Sequence, residues 1–273
     1  MNRRNEVYFQ LTQFLYSNLY TFKIQLFKIQ SFKIKMANTY FQFKQFRVAQ
    51  EKCAMKVCTD SCLFGAYVPV AQAQHILDIG TGTGLLSLMA AQRSGASIDA
   101  VEINAAAQQQ AQENFAASPW ARRLHLHPVS LQEYARYSRQ KYDVILANPP
   151  FFQGSLKSAD AAKNTAKHTG DLFFTDILEF AQEHLTPQGN LYLLLPPDEA
   201  LHFASLAPAH GLYLAHTLQV YTRIGGKCIR HIQTYAFLPV TSPTGSLLHI
   251  READAVTYTS EFRALLSAYY LIF

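Results

Sequence analysis

From residue 75 onward the hydrophobic positions alternate between short aliphatic runs and longer stretches with helical spacing. His75–Ile79, Ser97–Val101, Leu124–Val129, Tyr142–Ala147 and Asn190–Leu195 read as strands, with helices over Leu85–Ser94, Asn104–Ala117, Leu131–Tyr137 and Asp171–Leu185 between them. Strands alternating with helices predict a doubly wound α/β sheet, mostly parallel. Leu212–Tyr221 and Ile229–Leu238 follow without a long helix between them, so they are expected to pair antiparallel and complete seven strands. A last amphipathic helix is expected over Ser260–Tyr270. Upstream, Phe41 and Phe43 alternate with Gln42 and Lys44, which suggests strands or a hairpin. Asp60 reads as the N-cap of a helix over Ser61–Tyr67 that Pro69 stops. The segment Gln153–Gly170 carries almost no large apolar residues and is expected to be a loop over the carboxyl edge of the sheet.

Composition narrows this picture. The chain is 49% hydrophobic and 16% charged, the balance of a globular protein with a sizeable core. Its formal charge of +5 lies wholly in residues 1–35, where Arg3, Arg4, Lys23, Lys28, Lys33 and Lys35 face only Glu6. The remainder is formally neutral, so overall charge says nothing about a partner. Phe22-Lys23-Ile24, Phe27-Lys28-Ile29 and Phe32-Lys33-Ile34 repeat every five residues, a period that suits neither a helix face nor a strand face. Residues 1–35 are therefore expected to be a non-native or disordered extension, with Met36 as the native start; N-terminal mass determination on protein made from its own gene checks this. A single domain is expected over 36–273, with 36–70 as an N-terminal cap segment and 71–273 as the core. Cys53, Cys58, Cys62 and Cys228 make no C-x-x-C pair, and no metal site is expected. No apolar run has the length of a membrane span, and a cytoplasmic protein is expected.

The chemistry concentrates at two turns. Asp78-Ile79-Gly80-Thr81-Gly82-Thr83-Gly84 follows the first core strand and opens a helix. Its glycines permit positive φ and close approach of backbone to a ligand. Their spacing is not that of dinucleotide enzymes, and no G-K-[ST] follows. Glu102 ends the next strand, where a carboxylate accepts both hydroxyls of an adenosine ribose. The second turn, Asn148-Pro149-Pro150-Phe151-Phe152, leaves a strand at two prolines, which forbid both a continued ladder and an immediate helix. The Asn148 amide oxygen and the Pro149 carbonyl can accept the two N–H groups of an exocyclic amine and favour a pyramidal nitrogen. Phe151 can hold the ring by stacking, with Phe152 beside it. Lys44, Arg47, Lys52 and Lys56, and further on Lys157, Lys163, Lys167 and His168, serve equally as solvated faces or as RNA contacts.

Together the glycine turn, Glu102 and the Asn-Pro-Pro-Phe turn resemble the amino-methylating branch of the class I S-adenosylmethionine-dependent methyltransferases, over roughly Met36–Phe273. Within it, Phe43-Lys44-Gln45-Phe46, Cys53-Ala54-Met55-Lys56-Val57, Thr59-Asp60, Ser118-Pro119-Trp120 and Tyr269-Tyr270-Leu271 are similar to the bacterial tRNA1(Val) adenine-37 N6-methyltransferases. The resemblance implies a Rossmann-like fold, S-adenosylmethionine as cofactor, and a tRNA anticodon loop as partner. The enzyme would be a monomer or weak dimer. Asp78, Gly80, Gly82, Gly84 and Glu102 match its cofactor motif, and Asn148, Pro149, Pro150 and Phe151 its catalytic one. Two positions depart from the family pattern. Ser130 stands where an Asp usually reads the cofactor adenine, leaving Ser130 or a backbone N–H to do so, and Cys58 stands where Gly is usual. Methylation of ribosomal guanine N2 or of a release-factor glutamine are the enzymatic alternatives, because both present a planar NH2. A non-catalytic RNA-binding module is the third.

Overall fold

The computed structural model describes residues 39–149 and 161–273, with the backbone alone described over 161–172. A short hairpin comes first, β1 (Tyr40–Gln42) pairing antiparallel with β2 (Arg47–Ala49), as the alternation around Phe41 suggested. There follow α1 (Thr59–Tyr67), β3 (His75–Ile79), α2 (Leu85–Arg93), β4 (Ser97–Val101), α3 (Ala105–Ala116), β5 (Leu124–His127), α4 (Leu131–Tyr137) and β6 (Tyr142–Ala147). The remainder is α5 (Ala161–His184), β7 (Leu185–Leu195), α6 (Pro197–Leu206), β8 (Tyr213–Arg223), β9 (Cys228–Ala236), β10 (Thr244–Arg251) and α7 (Ser260–Leu266).

The main sheet has the order β10-β8-β9-β7-β6-β3-β4-β5. Only β9 runs against its neighbours, so β8 and β10 point the same way as β3 and β6. Strand residues alternate between two cores, as a sheet covered on both faces requires. Ile76, Ile98, Val144, Leu146 and Leu194 pack with α1, α2 and the β1–β2 hairpin. Leu77, Ile79, Val101, Ile145 and Leu193 pack with α4, α5 and α6.

Four expectations need correction. The sheet has eight strands rather than seven, because Thr244–Arg251 adds an edge strand. Pro243, Gly245 and four exposed positions at its start hid the alternation. A ten-residue helix, α6, lies between β7 and β8 where none was expected. Pro197 sits in its first turn, where a missing N–H costs nothing, and Asp198 and Glu199 favour the positive end of the helix dipole. Residues 161–170, expected as loop, belong to α5; their Ala and Lys content supports a helix without an apolar stripe. Finally, α1 begins at Thr59, so Cys58 is the N-cap and Asp60 lies inside the first turn, ion-paired at 2.8 Å with Arg230.

The hairpin and the chain terminus hold one another. Phe43 stacks on Phe46 at 4.5 Å and meets Tyr269 edge-on at 6.5 Å. The Lys44 ammonium donates to the Ser267 and Phe273 carbonyls, each at 2.7 Å. The buried Tyr269 hydroxyl donates to the Met89 carbonyl in α2 at 2.9 Å. The residues that carried the finer resemblance at both ends of the domain are thus largely one packing unit.

Under α4 the Asp99 carboxylate accepts from Tyr142 Oη and is paired with His127 Nε2, both at 2.8 Å; Tyr134 Oη lies 2.6 Å from Tyr142 Oη. Burial pushes the Asp99 carboxyl up, but the bonds from His127 and Tyr142 outweigh it and the pKa falls below the ordinary 3.8. A depressed acid stabilises the fold above its unfolded pKa, and that contribution is lost as pH falls through the folded value. The thermal midpoint of the wild type is therefore expected to drop below pH 3.8 more steeply than that of Asp99→Asn, whose midpoint is already lower at pH 7. Parallel midpoint-against-pH curves would refute this.

Among the described residues no helix is long and apolar enough to cross a membrane.

Candidate active site

The register of the central strands fixes the site. Ile79 of β3 and Ala147 of β6 are direct partners in a parallel pair. Gly80 and Asn148 therefore leave the sheet side by side at its carboxyl edge, on strands about 4.8 Å apart. Val101, the partner of Ile79 on the other side, ends β4 just before Glu102. The glycine turn, Glu102 and Asn148 thus converge where ligands bind in open α/β sheets.

Asp78 organises the glycine turn from beneath. Fully buried, its Oδ2 accepts from Thr81 Oγ1 at 2.6 Å, Ser87 Oγ at 2.7 Å and Ser87 N at 3.1 Å. Burial raises its pKa, and the hydrogen bonds from Thr81 and Ser87 offset only part of this. The turn itself is pinned to β4 by Gly80 N and Thr81 N, which donate to the Val101 carbonyl at 2.8 and 3.1 Å. Gly84 has φ +83°, and a Cβ there would lie 2.5 Å from the Phe115 ring, so only glycine closes the turn against α3.

Gly80 and Gly82 differ from Gly84. Both have positive φ, yet a Cβ on either would meet nothing within 4 Å. Their backbones border open space at the sheet edge, which suits a ligand that must approach the main chain closely. Glu102, 8% exposed, accepts from Gly82 N through Oε2 at 2.9 Å and from Asn104 N through Oε1 at 2.8 Å. Each oxygen retains a lone pair for a hydroxyl. Ser130 caps α4, accepting from Glu133 N at 3.1 Å, and its hydroxyl proton is left to donate. The residues present therefore fit an adenosine-bearing cofactor, with the Gly80–Gly82 backbone, Glu102 and Ser130 as its holders.

Asn148 is gripped from one side only. Its Nδ2 donates to Ser61 Oγ in α1 at 2.9 Å, and Ser61 Oγ in turn lies 3.0 Å from Cys58 Sγ. Asn148 Oδ1 is shielded from solvent and, among the described residues, has no hydrogen-bond partner. A buried acceptor without a donor costs free energy unless a ligand supplies one. Pro149 is buried beside it. Pro150, Phe151, Phe152 and Lys157 lie outside the described residues. Lys163 and Lys167 belong to the α5 backbone.

The N-terminal cations have structural partners. Besides Lys44, the Lys56 ammonium donates to the Gln50 and Cys53 carbonyls at 2.5 and 2.9 Å. Lys52 pairs with Glu113, and the Arg47 guanidinium lies 3.9 Å over the Tyr40 ring. Sequence reasoning missed Ser61 and Asn114. The Asn114 amide donates to the Thr83 and Ala49 carbonyls and accepts from Ala49 N, joining the glycine turn to the hairpin. Neither residue stands in a local pattern that announces such a role.

The profile described as "Methyltransferase small domain" matches residues 53–204. A tRNA1(Val) (adenine(37)-N6)-methyltransferase of Cytophaga hutchinsonii is 45% identical over 243 residues, covering 86% of this chain and 99% of that protein. The chain belongs to this methyltransferase family. Members bearing the same name from Dyadobacter fermentans and Serratia proteamaculans are 44% and 39% identical, covering 86% and 85% of this chain and 99% and 90% of their own. Two solved structures share the fold at 17% identity. A methyltransferase from Pyrococcus furiosus aligns with TM-score 0.52, covering 79% of this chain and 98% of its own. An Agrobacterium tumefaciens protein described as a predicted O-methyltransferase aligns with TM-score 0.55, covering 77% of this chain and 96% of its own. Family membership makes the protein a methyltransferase with the class I fold.

Proposed function

We propose that the protein methylates the exocyclic N6 of adenine 37 in tRNA1(Val), with S-adenosylmethionine as donor. The observation that carries the reading is the buried Asn148 Oδ1, without a partner among the described residues, one residue beyond the strand position paired with Ile79, which leads into the glycines. The names of the family members supply the base and the RNA.

S-adenosylmethionine supplies a methyl group on a sulfonium, electrophilic enough to need no metal or covalent enzyme intermediate. The chain's own part is positioning. Asn148 Oδ1 accepts one N6–H and the Pro149 carbonyl the other, which draws the nitrogen lone pair out of the ring and toward the Gly80–Gly82 side. Ser61 holds the amide nitrogen, so that the oxygen and not the NH2 faces the base. Adenine 37 reaches this acceptor pair only when turned out of the loop, and Phe151 supplies the stacking surface that keeps it there.

Purified protein, labelled cofactor and an unmodified tRNA1(Val) transcript test the reading. The label is expected in N6-methyladenosine, and its transfer is expected to vanish with a transcript carrying guanine at position 37. Label in guanosine, in protein, or undiminished in the altered transcript would overturn it.

A further inference from the structure

We propose that a cavity of about 400 Å³ at the carboxyl ends of β8 and β10 binds a backbone phosphodiester of the RNA strand whose base enters the Asn148 site. This deepens the proposed function and rests on its RNA substrate.

Arg223 and Arg251 line the cavity together with Thr59, Thr222 and Tyr258. The two arginines are direct register partners on adjacent parallel strands. Like charges held opposite one another are unfavourable unless an anion joins them. Each guanidinium is fixed by neutral acceptors. Arg223 Nη1 donates to the Ile224 carbonyl at 3.2 Å and the Ala253 carbonyl at 3.5 Å. Arg251 Nη1 donates to the Val256 carbonyl and Nη2 to Tyr258 Oη at 3.2 Å, with the guanidinium 4.3 Å over the Tyr258 ring. Five N–H donors per guanidinium leave several for a ligand. Among the described residues neither arginine has a carboxylate in ion-pair range. Asp254 acts on Arg251 only at longer range, its oxygens being taken by Val256 N, Thr257 N and Thr257 Oγ1.

The other wall is the start of α1. Cys58 contributes no side-chain cap, and Ser61 N donates to Asp60 Oδ1 at 3.0 Å, which leaves the Thr59 and Asp60 amides of the first turn to face an anion. Asp60, the one acid in that turn, is neutralised by Arg230. Ala255, also on the cavity wall, is held at φ +61°, a strained conformation for a side-chain-bearing residue.

Position decides the ligand. Because β8 and β10 run parallel to β6, both arginines reach the edge where Asn148 sits. Thr59 is two residues, roughly 3 Å of helix rise, from Ser61, the residue that holds Asn148. A forked cation pair on the same edge of the sheet suits a backbone phosphate of the strand that carries an everted nucleotide.

Full-length Arg223→Gln and Arg223→Lys test this by tRNA1(Val) transcript binding across a salt series, with KM, kcat and S-adenosylmethionine affinity measured beside it. R223Q is expected to weaken RNA binding and raise KM about 10-fold, to lower the slope of log affinity against log salt by about 0.7, and to leave kcat and cofactor affinity unchanged. R223K is expected to restore the slope and most of the affinity. An unchanged slope and KM in R223Q, no recovery in R223K, equal loss of cofactor binding, or a wild type that binds no RNA would each overturn the proposal. Wild-type protein that binds the transcript with this arginine dependence but methylates another base would leave the phosphate site standing and overturn only the adenine reading.

Discussion

Asn148→Ala is expected to abolish methyl transfer, with a fall in kcat of about 10² to 10³-fold or more, while S-adenosylmethionine binds with nearly wild-type affinity. The size follows from removing a preorganised acceptor at the reacting atom, an effect that usually costs that much. The selectivity follows from geometry. Among the described residues the Asn148 side chain takes no part in the hydrogen bonds of the glycine turn and donates to Ser61 in α1. Deleting it leaves Asp78, Glu102 and the turn intact. Single-turnover kinetics with a tRNA transcript and calorimetric titration of the cofactor check both halves. Ser61→Ala should give a smaller loss, because the amide then turns freely but its oxygen survives. If Asn148→Ala lost cofactor binding and catalysis together, Asn148 would be a structural residue.

Asp78→Ala is expected to do the reverse and remove cofactor binding first. Three donors converge on one buried oxygen, and alanine strands them all. Hydrogen bonds to a charged group contribute about 1.5 to 3 kcal/mol each, not additively, so a destabilisation of about 3 kcal/mol or more is expected. Urea unfolding gives that value, and cofactor titration of the folded fraction gives the second effect. Asp78→Asn should cost less, since an amide oxygen still accepts from Thr81 and Ser87 and burial already disfavours the charge. A variant Asp78→Ala that folded and bound cofactor normally would mean that the turn is held by its backbone bonds to Val101 alone.

The five core strands and the helices between them were legible because each has one dominant period, and the decisive one has a clear stop at Pro149. The edge strand Thr244–Arg251 was not, because an edge residue faces solvent on more sides and need not alternate. Helix α6 was hidden because it opens on Pro196-Pro197, which gives no helical pattern at its start, although a helix accepts proline in its first turn. At the site, glycine spacing and the Asn-Pro-Pro turn could be read directly, since each encodes a local backbone conformation. The grip of Ser61 on Asn148 and of Asn114 on Thr83 could not, since both join residues distant in sequence. The same holds for Arg223 and Arg251. Nothing local marks them as neighbours, whereas Lys44 and Lys56, which looked free in sequence, are taken up by backbone carbonyls.

The clasp between Lys44 and the Ser267 and Phe273 carbonyls has a consequence for the acceptor site. The face of α1 that carries Cys62, Leu63 and Phe64 packs in the same core as Phe262, Leu266, Tyr269 and Tyr270. Ser61, on that helix, is therefore seated against Asn148 by a core whose members lie far apart in sequence. Packing where the hairpin meets the C-terminal helix is thereby coupled to the grip on Asn148, whereas the glycine turn rests separately on Asp78 and the Val101 carbonyl.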